Sequence, residues 1–242
     1  MWVGIAAQHR LGFNAVMKPS GIDAVIVEFD RGLRTLFGVL PATRERPRPA
    51  SSQADSGVTA GAEVLEGESV ELAAVERRHS AALMRVNHAG EVCAQALYQG
   101  QALASSDELL KATLKQAADE EADHLAWSAA RIQELGGRTS VLNPLWYAGS
   151  LLMGFAAGKA GNAWSLGFLA ETEEQVAQHL QGHLARVSER DVDTRAIITA
   201  MRDEEAGHRR TALELGGREL PAFAKRAMAA AAGVMTSTAY WF

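Results

Sequence analysis

Two short segments of the chain could hold a metal ion in the same way. Glu121-Ala122-Asp123-His124 and Glu205-Ala206-Gly207-His208 each set a glutamate three residues before a histidine. On an α-helix this spacing puts both side chains on one face, so each pair offers a carboxylate and an imidazole to a single ion. Both segments run on into Glu-Leu-Gly-Gly-Arg, at 134–138 and at 214–218. The echo reads as a duplicated helical hairpin.

One Glu-x-x-His in a charged helix is a weak signal. Two of them, joined by one glutamate from each of two further helices, make the ligand set of di-iron carboxylate four-helix bundles. The sequence supplies both glutamates. Around Glu173, the positions that share its helical face are Leu166, Leu169, Ala170, Val176, Ala177 and Leu180, an apolar stripe with one carboxylate at its centre. Glu171 and Glu174 fall to either side of that stripe. Glu91 is the sole acid between Glu76 and Asp107, and it precedes Glu121 by 30 residues, as Glu173 precedes Glu205 by 32. The expected ligands are therefore Glu91, Glu121, His124, Glu173, Glu205 and His208, with the four glutamates also expected to serve catalysis. Four carboxylates on core-facing positions are costly unless paired or metal-bound. Oxygen and imidazole nitrogen without sulfur suit iron or manganese. Asp203, Asp123, His88 and His179 are candidates for orienting the ligand imidazoles. Cys93 reads as a small buried filler, and Tyr98, two turns after Glu91, as a core residue.

Such residues need helices to hold them. The 242 residues include 45 alanines, the strongest helix former, and 22 glycines. An all-α fold is expected. Ser106-Asp107 is a cap between helices at about 68–104 and 107–135, and Gly136-Gly137 stops the second. Further helices are expected at about 163–187 and 191–215, the latter stopped by Gly216-Gly217, and a last one opens at Pro221. Residues 1–21 read as a disordered extension without the apolar core of a secretion signal, and Met17 is a candidate start. Residues 22–40 read as a short amphipathic helix, with Val25, Phe29, Leu33, Leu36 and Phe37 near one face. Residues 41–62, which hold three of the six prolines, read as a flexible linker, and 63–242 as the di-iron domain.

Charge and cysteine content narrow the function. With 24 basic and 29 acidic residues the net charge is −5, unlike a nucleic-acid binder. One cysteine excludes a disulfide framework and the paired-thiolate modules of rubrerythrin-like proteins. Between Thr139 and Ala170 the only charge is Lys159, and from Pro221 onward only Lys225 and Arg226. Five glycines interrupt the first stretch, so a peripheral membrane contact is expected rather than a spanning helix.

The residues that carry these signals also resemble a known family. Arg85-Val-Asn-His-Ala-Gly-Glu91, Glu121-Ala-Asp-His124, Ser140-Val-Leu-Asn-Pro-Leu-Trp146, Glu173-Glu-Gln-Val-Ala-Gln-His179 and Arg202-Asp-Glu-Glu-Ala-Gly-His208 occur in the order found in demethoxyubiquinone hydroxylases. The resemblance covers roughly 63–242. It implies a ferritin-like four-helix bundle with additional apolar helices, and two iron ions per chain on the six residues named above. It also implies a monooxygenase that hydroxylates the ring of a demethoxyubiquinol with O2 in ubiquinone biosynthesis. The expected partners are a polyprenyl quinol, O2, NADH or a reduced quinone as electron donor, and a second copy of the chain. The expected place is the cytoplasmic face of the inner membrane. A ferritin-like ferroxidase or iron-storage protein is the alternative.

Overall fold

The structure, a computed structural model, describes residues 21–38, 42–49 and 72–242. Every regular element among them is helical: α1 (Gly21–Phe37), α2 (Ala74–Ala104), α3 (Glu108–Glu134), α4 (Asn143–Lys159), α5 (Asn162–Leu184), α6 (Val192–Glu214) and α7 (Ala222–Ala239). Residues 1–20 of the expected extension and residues 41 and 50–62 of the expected linker lie outside the described residues, as do 39–40 and 63–71.

The bundle consists of two antiparallel hairpins, α2–α3 and α5–α6. Asp107 caps α3 by accepting from the Leu110 N–H at 2.9 Å, and Asp191 caps α6 by accepting from Thr194 at 3.1 Å. The hairpin echo is structural as well. Gly136 and Gly216 take φ of 72° and 95°. Beyond them the Gly137 N–H bonds Ile132 O at 2.8 Å, and the Gly217 N–H bonds Ala212 O at 3.0 Å. Both copies thus end in the same left-handed cap, which a side chain at the first glycine would strain. Arg131, nearly buried on α3, donates to Asp191 Oδ1 at 2.7 Å and to Thr194 Oγ1 at 2.9 Å, tying the end of α3 to the start of α6.

Two apolar layers fill the bundle. One holds Leu83, Met84, Trp127, Ile132, Leu180, Ile197, Ile198 and Met201. The other holds Leu97, Tyr98, Leu110, Leu114, Leu166, Leu169 and Ala212. On each of the four helices the candidate glutamate falls between the two layers.

The apolar stretch from 139 to 170 does not form one long helix. It bends at Ala160-Gly161, where Gly161 has φ of 103°, and is divided into α4 and the start of α5. No helix of the described residues is long and apolar enough to cross a membrane. α4 lies across α2 through facing glycines. A Cβ on Gly154 would fall on the Leu97 backbone, and one on Gly100 would fall on Leu151 O and Phe155 N. α7 covers the open side, with Arg85 donating to Tyr240 O at 2.9 Å and Tyr240 meeting His79 Nδ1 at 2.8 Å.

Of the two N-terminal segments, α1 forms where the short amphipathic helix is expected, and residues 42–49 differ from the linker reading. α1 is amphipathic, but Ile26, Val27, Phe29, Leu33 and Phe37 face outward while Gly32 and Thr35 are buried. The side chain of Val25 lies outside the described residues. Polar contacts hold α1 to the bundle: Gln99 donates to Glu28 O at 2.5 Å and to Glu28 Oε2 at 2.7 Å. Residues 42–49, inside the stretch read as a linker, lie against α3 and α6. The Thr43 N–H reaches Asp123 Oδ1 at 2.6 Å, Arg44 sits 5.0 Å over the Trp127 ring, and Arg46 pairs with Glu134. Proline-rich composition reports an extended chain; it does not report whether charged neighbours dock it.

The Gly154 crossing gives a direct stability test. Gly154→Ala should cost about 1–3 kcal/mol as overpacking and lower the melting temperature by roughly 2–12 °C for a chain of this size. An unchanged melting curve would mean the two helices do not approach this closely.

Candidate metal centre

The structure brings all six expected residues together in the middle of the bundle. Glu91, Glu121, His124, Glu173 and Glu205 are almost completely buried, and His208 is nearly so. They form two groups, Glu91–Glu121–His124–Glu205 and Glu121–Glu173–Glu205–His208, in each of which one donor atom per residue lies within 4.8 Å of the others. Glu121 and Glu205 belong to both. His124 turns Nδ1 inward, 2.8 Å from Glu121 Oε2 and 3.2 Å from Glu205 Oε1. His208 does the same, 3.3 Å from Glu121 Oε1 and from Glu205 Oε2.

The outer nitrogens are held reciprocally. His124 Nε2 donates to Glu204 Oε2 at 3.0 Å, and His208 Nε2 donates to Glu120 Oε2 at 2.7 Å. Each histidine therefore bonds the glutamate that immediately precedes the other pair's inward glutamate. An N–H bonded outward fixes the tautomer and frees Nδ1 to bind a cation. Sequence reasoning missed Glu120 and Glu204 and proposed other orienting residues. Asp203 is exposed and pairs with Arg202. Asp123 is buried but accepts from Thr43 and Arg44. His88 lies 3.5 Å from the Asn143 amide, and His179 stacks against His183 with ring centroids 4.0 Å apart. The duplication brackets them without singling them out, since both copies read Asp-Glu-Glu-Ala-x-His and Asp119 and Asp203 are repeated as well.

Tyr98 is a core residue with a polar role, since its O–H donates to Glu173 Oε1. Glu171 and Glu174 point away from the centre, toward Lys225 and Arg209, as the stripe argument expects.

The electrostatics call for a cation. Burial, then the charges of Glu121 and Glu205, raises Glu91 well above the usual carboxylate range. Burial and the neighbouring Glu205 raise Glu173 likewise. Burial opposes the charged form of His124, but the neighbouring carboxylates of Glu121, Glu204 and Glu205 outweigh it and push the imidazole well up. His208, against the same opposition, is raised to about 12 by Glu121 and Glu205. The same imidazoles overcome burial to hold Glu121 low. Protons thus stand where positive charge is needed. Two buried oxygens, Glu121 Oε1 and Glu205 Oε1, still accept no hydrogen bond. The donor set, its clustering and these orphaned oxygens fit metal ions.

An apolar cavity of about 710 Å³ lies between α2, α4, α5 and α7. Glu91 is part of its wall, together with Trp146, Phe168, His179, Met228 and Met235. Cys93 also lines it, so it is a wall residue rather than a filler; its shielded environment pushes the thiol up to about 11. His179 and His183 are driven down to about 4 and about 2 by burial, and are neutral.

The model for ubiquinone biosynthesis protein COQ7 matches residues 78–239. This chain belongs to that family. A protein of Dechloromonas aromatica (strain RCB) named 3-demethoxyubiquinol 3-hydroxylase is 53% identical over 220 residues, covering 91% of this chain and 99% of the relative. Proteins of the same name from Azoarcus sp. (strain BH72) and Nitrosococcus oceani are each 51% identical, covering 90% and 92% of this chain and 98% and 97% of theirs. The likeness reaches further than residues 63–242. Since 220 of 242 residues are matched, the shared stretch contains 42–49 wherever it begins.

Metal binding competes with protons on the raised groups Glu91, His124, Glu173 and His208, so loading must release protons. Calorimetry of metal binding in buffers of different ionisation enthalpy should show net proton release on full loading. Release near zero would contradict the raised positions of these groups.

Proposed function

We propose that this chain hydroxylates the ring of a demethoxyubiquinol in ubiquinone biosynthesis, using O2 and two iron ions, at a membrane surface. One ion is assigned to Glu91, Glu121, His124 and Glu205, and the other to Glu121, Glu173, Glu205 and His208. Bound iron supplies the redox chemistry that lets O2 give one oxygen atom to the ring, while the other leaves as water. The two further electrons are assigned to NADH or a reduced quinone.

The observation that carries the reading is the cavity. It brings an apolar ligand from the surface, at Leu145 and Met153, to Glu91 in the centre of the bundle. Iron storage has no use for such a space. The protein's own residues play four parts here. Trp146, Phe168 and Met235 exclude water and hold a flat ring. The alanines and Gly233 of α7 leave width for a polyprenyl tail. The Tyr98 O–H steadies Glu173. Neutral His179, in the wall with an unpartnered Nε2, is placed to bond an oxygen of the ring.

Membrane contact has support in the surface. Phe29, Leu33 and Phe37 on α1, Leu145, Leu152 and Phe155 on α4, and Phe223 and Val234 on α7 are all exposed. Leu145 and Met153 join this surface to the cavity, so a quinol could pass from a lipid layer without crossing water. In a bacterium the corresponding place is the cytoplasmic face of the inner membrane.

A strain lacking the protein should accumulate demethoxyubiquinone in its lipid extract. The wild-type chain should clear it, whereas Glu173→Ala, folded but poor in iron, should not. Absence of accumulation would defeat the assignment. The surface is tested separately by replacing Phe29, Leu33 and Phe37 with serine. Each exposed apolar side chain is worth about 1.5–3 kcal/mol when buried in lipid, so co-sedimentation with phosphatidylcholine vesicles should fall more than tenfold with the helical spectrum unchanged. Equal sedimentation would remove α1 from the contact.

A further inference from the structure

The two ligand groups look equivalent from inside the bundle, and they differ outside it. Glu204, which accepts from His124 Nε2, accepts on the same oxygen from Arg44 Nη2 at 2.9 Å. Glu120, which accepts from His208 Nε2, has its other oxygen bonded by the neutral amide of Gln116 at 3.1 Å. A cation steadies one supporting glutamate and an amide steadies the other.

Arg44 is fixed from several directions. Its Nε donates to Asp123 Oδ2 at 2.5 Å, and its guanidinium lies over Trp127, whose Nε1–H reaches back to Arg44 O at 3.4 Å. Thr43 adds a backbone bond of 2.6 Å and a hydroxyl bond of 3.1 Å to the same carboxylate. The planar fork of arginine is suited to two carboxylates at once, and stacking on an aromatic face limits its rotation. The duplicated motif explains why this happens on one side only. Its two copies, Glu-Glu-Ala-Asp-His and Glu-Glu-Ala-Gly-His, differ at Asp123 and Gly207. Asp123 anchors the segment; a glycine offers nothing to anchor it.

We infer that residues 42–49 form a strap whose Arg44 acts as a positioning residue for His124, through Glu204, and makes the two metal positions unequal in affinity. This rests on the reading that the cluster holds two ions. Arg44 holds the Glu204 carboxylate in place, Glu204 keeps the His124 Nε2–H directed outward, and Nδ1 is thereby presented inward. The His208 position lacks that support and fills second. The position so steadied includes Glu91, the ligand that the cavity reaches.

Anaerobic titration of metal-free full-length protein with Co(II), followed by visible absorption and calorimetry, separates the two positions. Wild type should bind two ions in resolved steps. Arg44→Gln should weaken the first step by about 10–100-fold, the usual cost of losing a partner behind a ligand, and leave the second unchanged. Arg44→Lys, which can serve one carboxylate at a time, should restore part of the loss. Glu120→Gln should weaken the other step instead. Arg44 is partly exposed, so its variants should retain the helical spectrum and melting curve of the metal-free protein. Two ions bound with both steps unchanged, or both equally weakened, in Arg44→Gln would overturn the strap's role while leaving the metal centre intact. A wild-type chain that binds no Co(II) would overturn both.

Discussion

Four carboxylates packed into an apolar interior cannot all be ionised without positive charge among them, and the rest of the structure follows from that constraint. At low dielectric the mutual repulsion of Glu91, Glu121, Glu173 and Glu205 far exceeds what one hydrogen bond returns. The two histidines are raised toward their cationic form, which supplies positive charge, and Glu91 and Glu173 toward their neutral form, which removes negative charge. Metal ions supply the same charge from fewer particles and satisfy the oxygens that protons leave orphaned. The helices must hold this arrangement open against collapse. Apolar layers on both sides of the polar one do so, and the capped hairpin ends and the Arg131–Asp191 pair keep the helices in register.

The cavity comes from the way the outer helices pack. α4 approaches α2 backbone to backbone at Gly100 and Gly154, so little side-chain volume separates them there. α7 makes its principal contact near Tyr240, at its far end, and its small residues leave space along its length. The ends are therefore tight and the middle is hollow, next to Glu91. The same helices expose large apolar residues outside, so the cavity and the proposed lipid-facing surface are two sides of one thin layer.

Much of this was legible in the sequence. The helix ends were marked by Asp107, Gly136 and Gly216, whose backbone preferences are local. The inward glutamates were marked by helical periodicity, which identified Glu173 over Glu171 and Glu174 because burial repeats with the turn of the helix. Contacts that depend on tertiary approach were not marked. Nothing local distinguishes Glu204 from Asp203 as the partner of His124; the choice is set by how α3 and α6 face each other. The outward turn of Phe29 and Leu33 was hidden for a similar reason. An apolar stripe shows that a helix has two faces and is silent on which one meets the protein when lipid is a second apolar medium. The family resemblance supplied the reaction, which no spacing could give.

The duplication supplies a symmetric set of ligands, but hydroxylation of a ring is not a symmetric reaction. Substrate must approach one side of the centre, so the two halves have to become different somewhere. Their inward residues have stayed alike, as a shared layer of buried carboxylates and imidazoles requires. The differences lie outside it: Asp123 against Gly207, a docked strap on one side, and a cavity wall that includes Glu91 but not Glu173. Asymmetry introduced from the periphery leaves the costly buried charge balance undisturbed. A change within the cluster would have to be compensated at once by another cation or proton, whereas a change at Asp123 or Arg44 can alter one ligand's freedom without altering the total charge of the core.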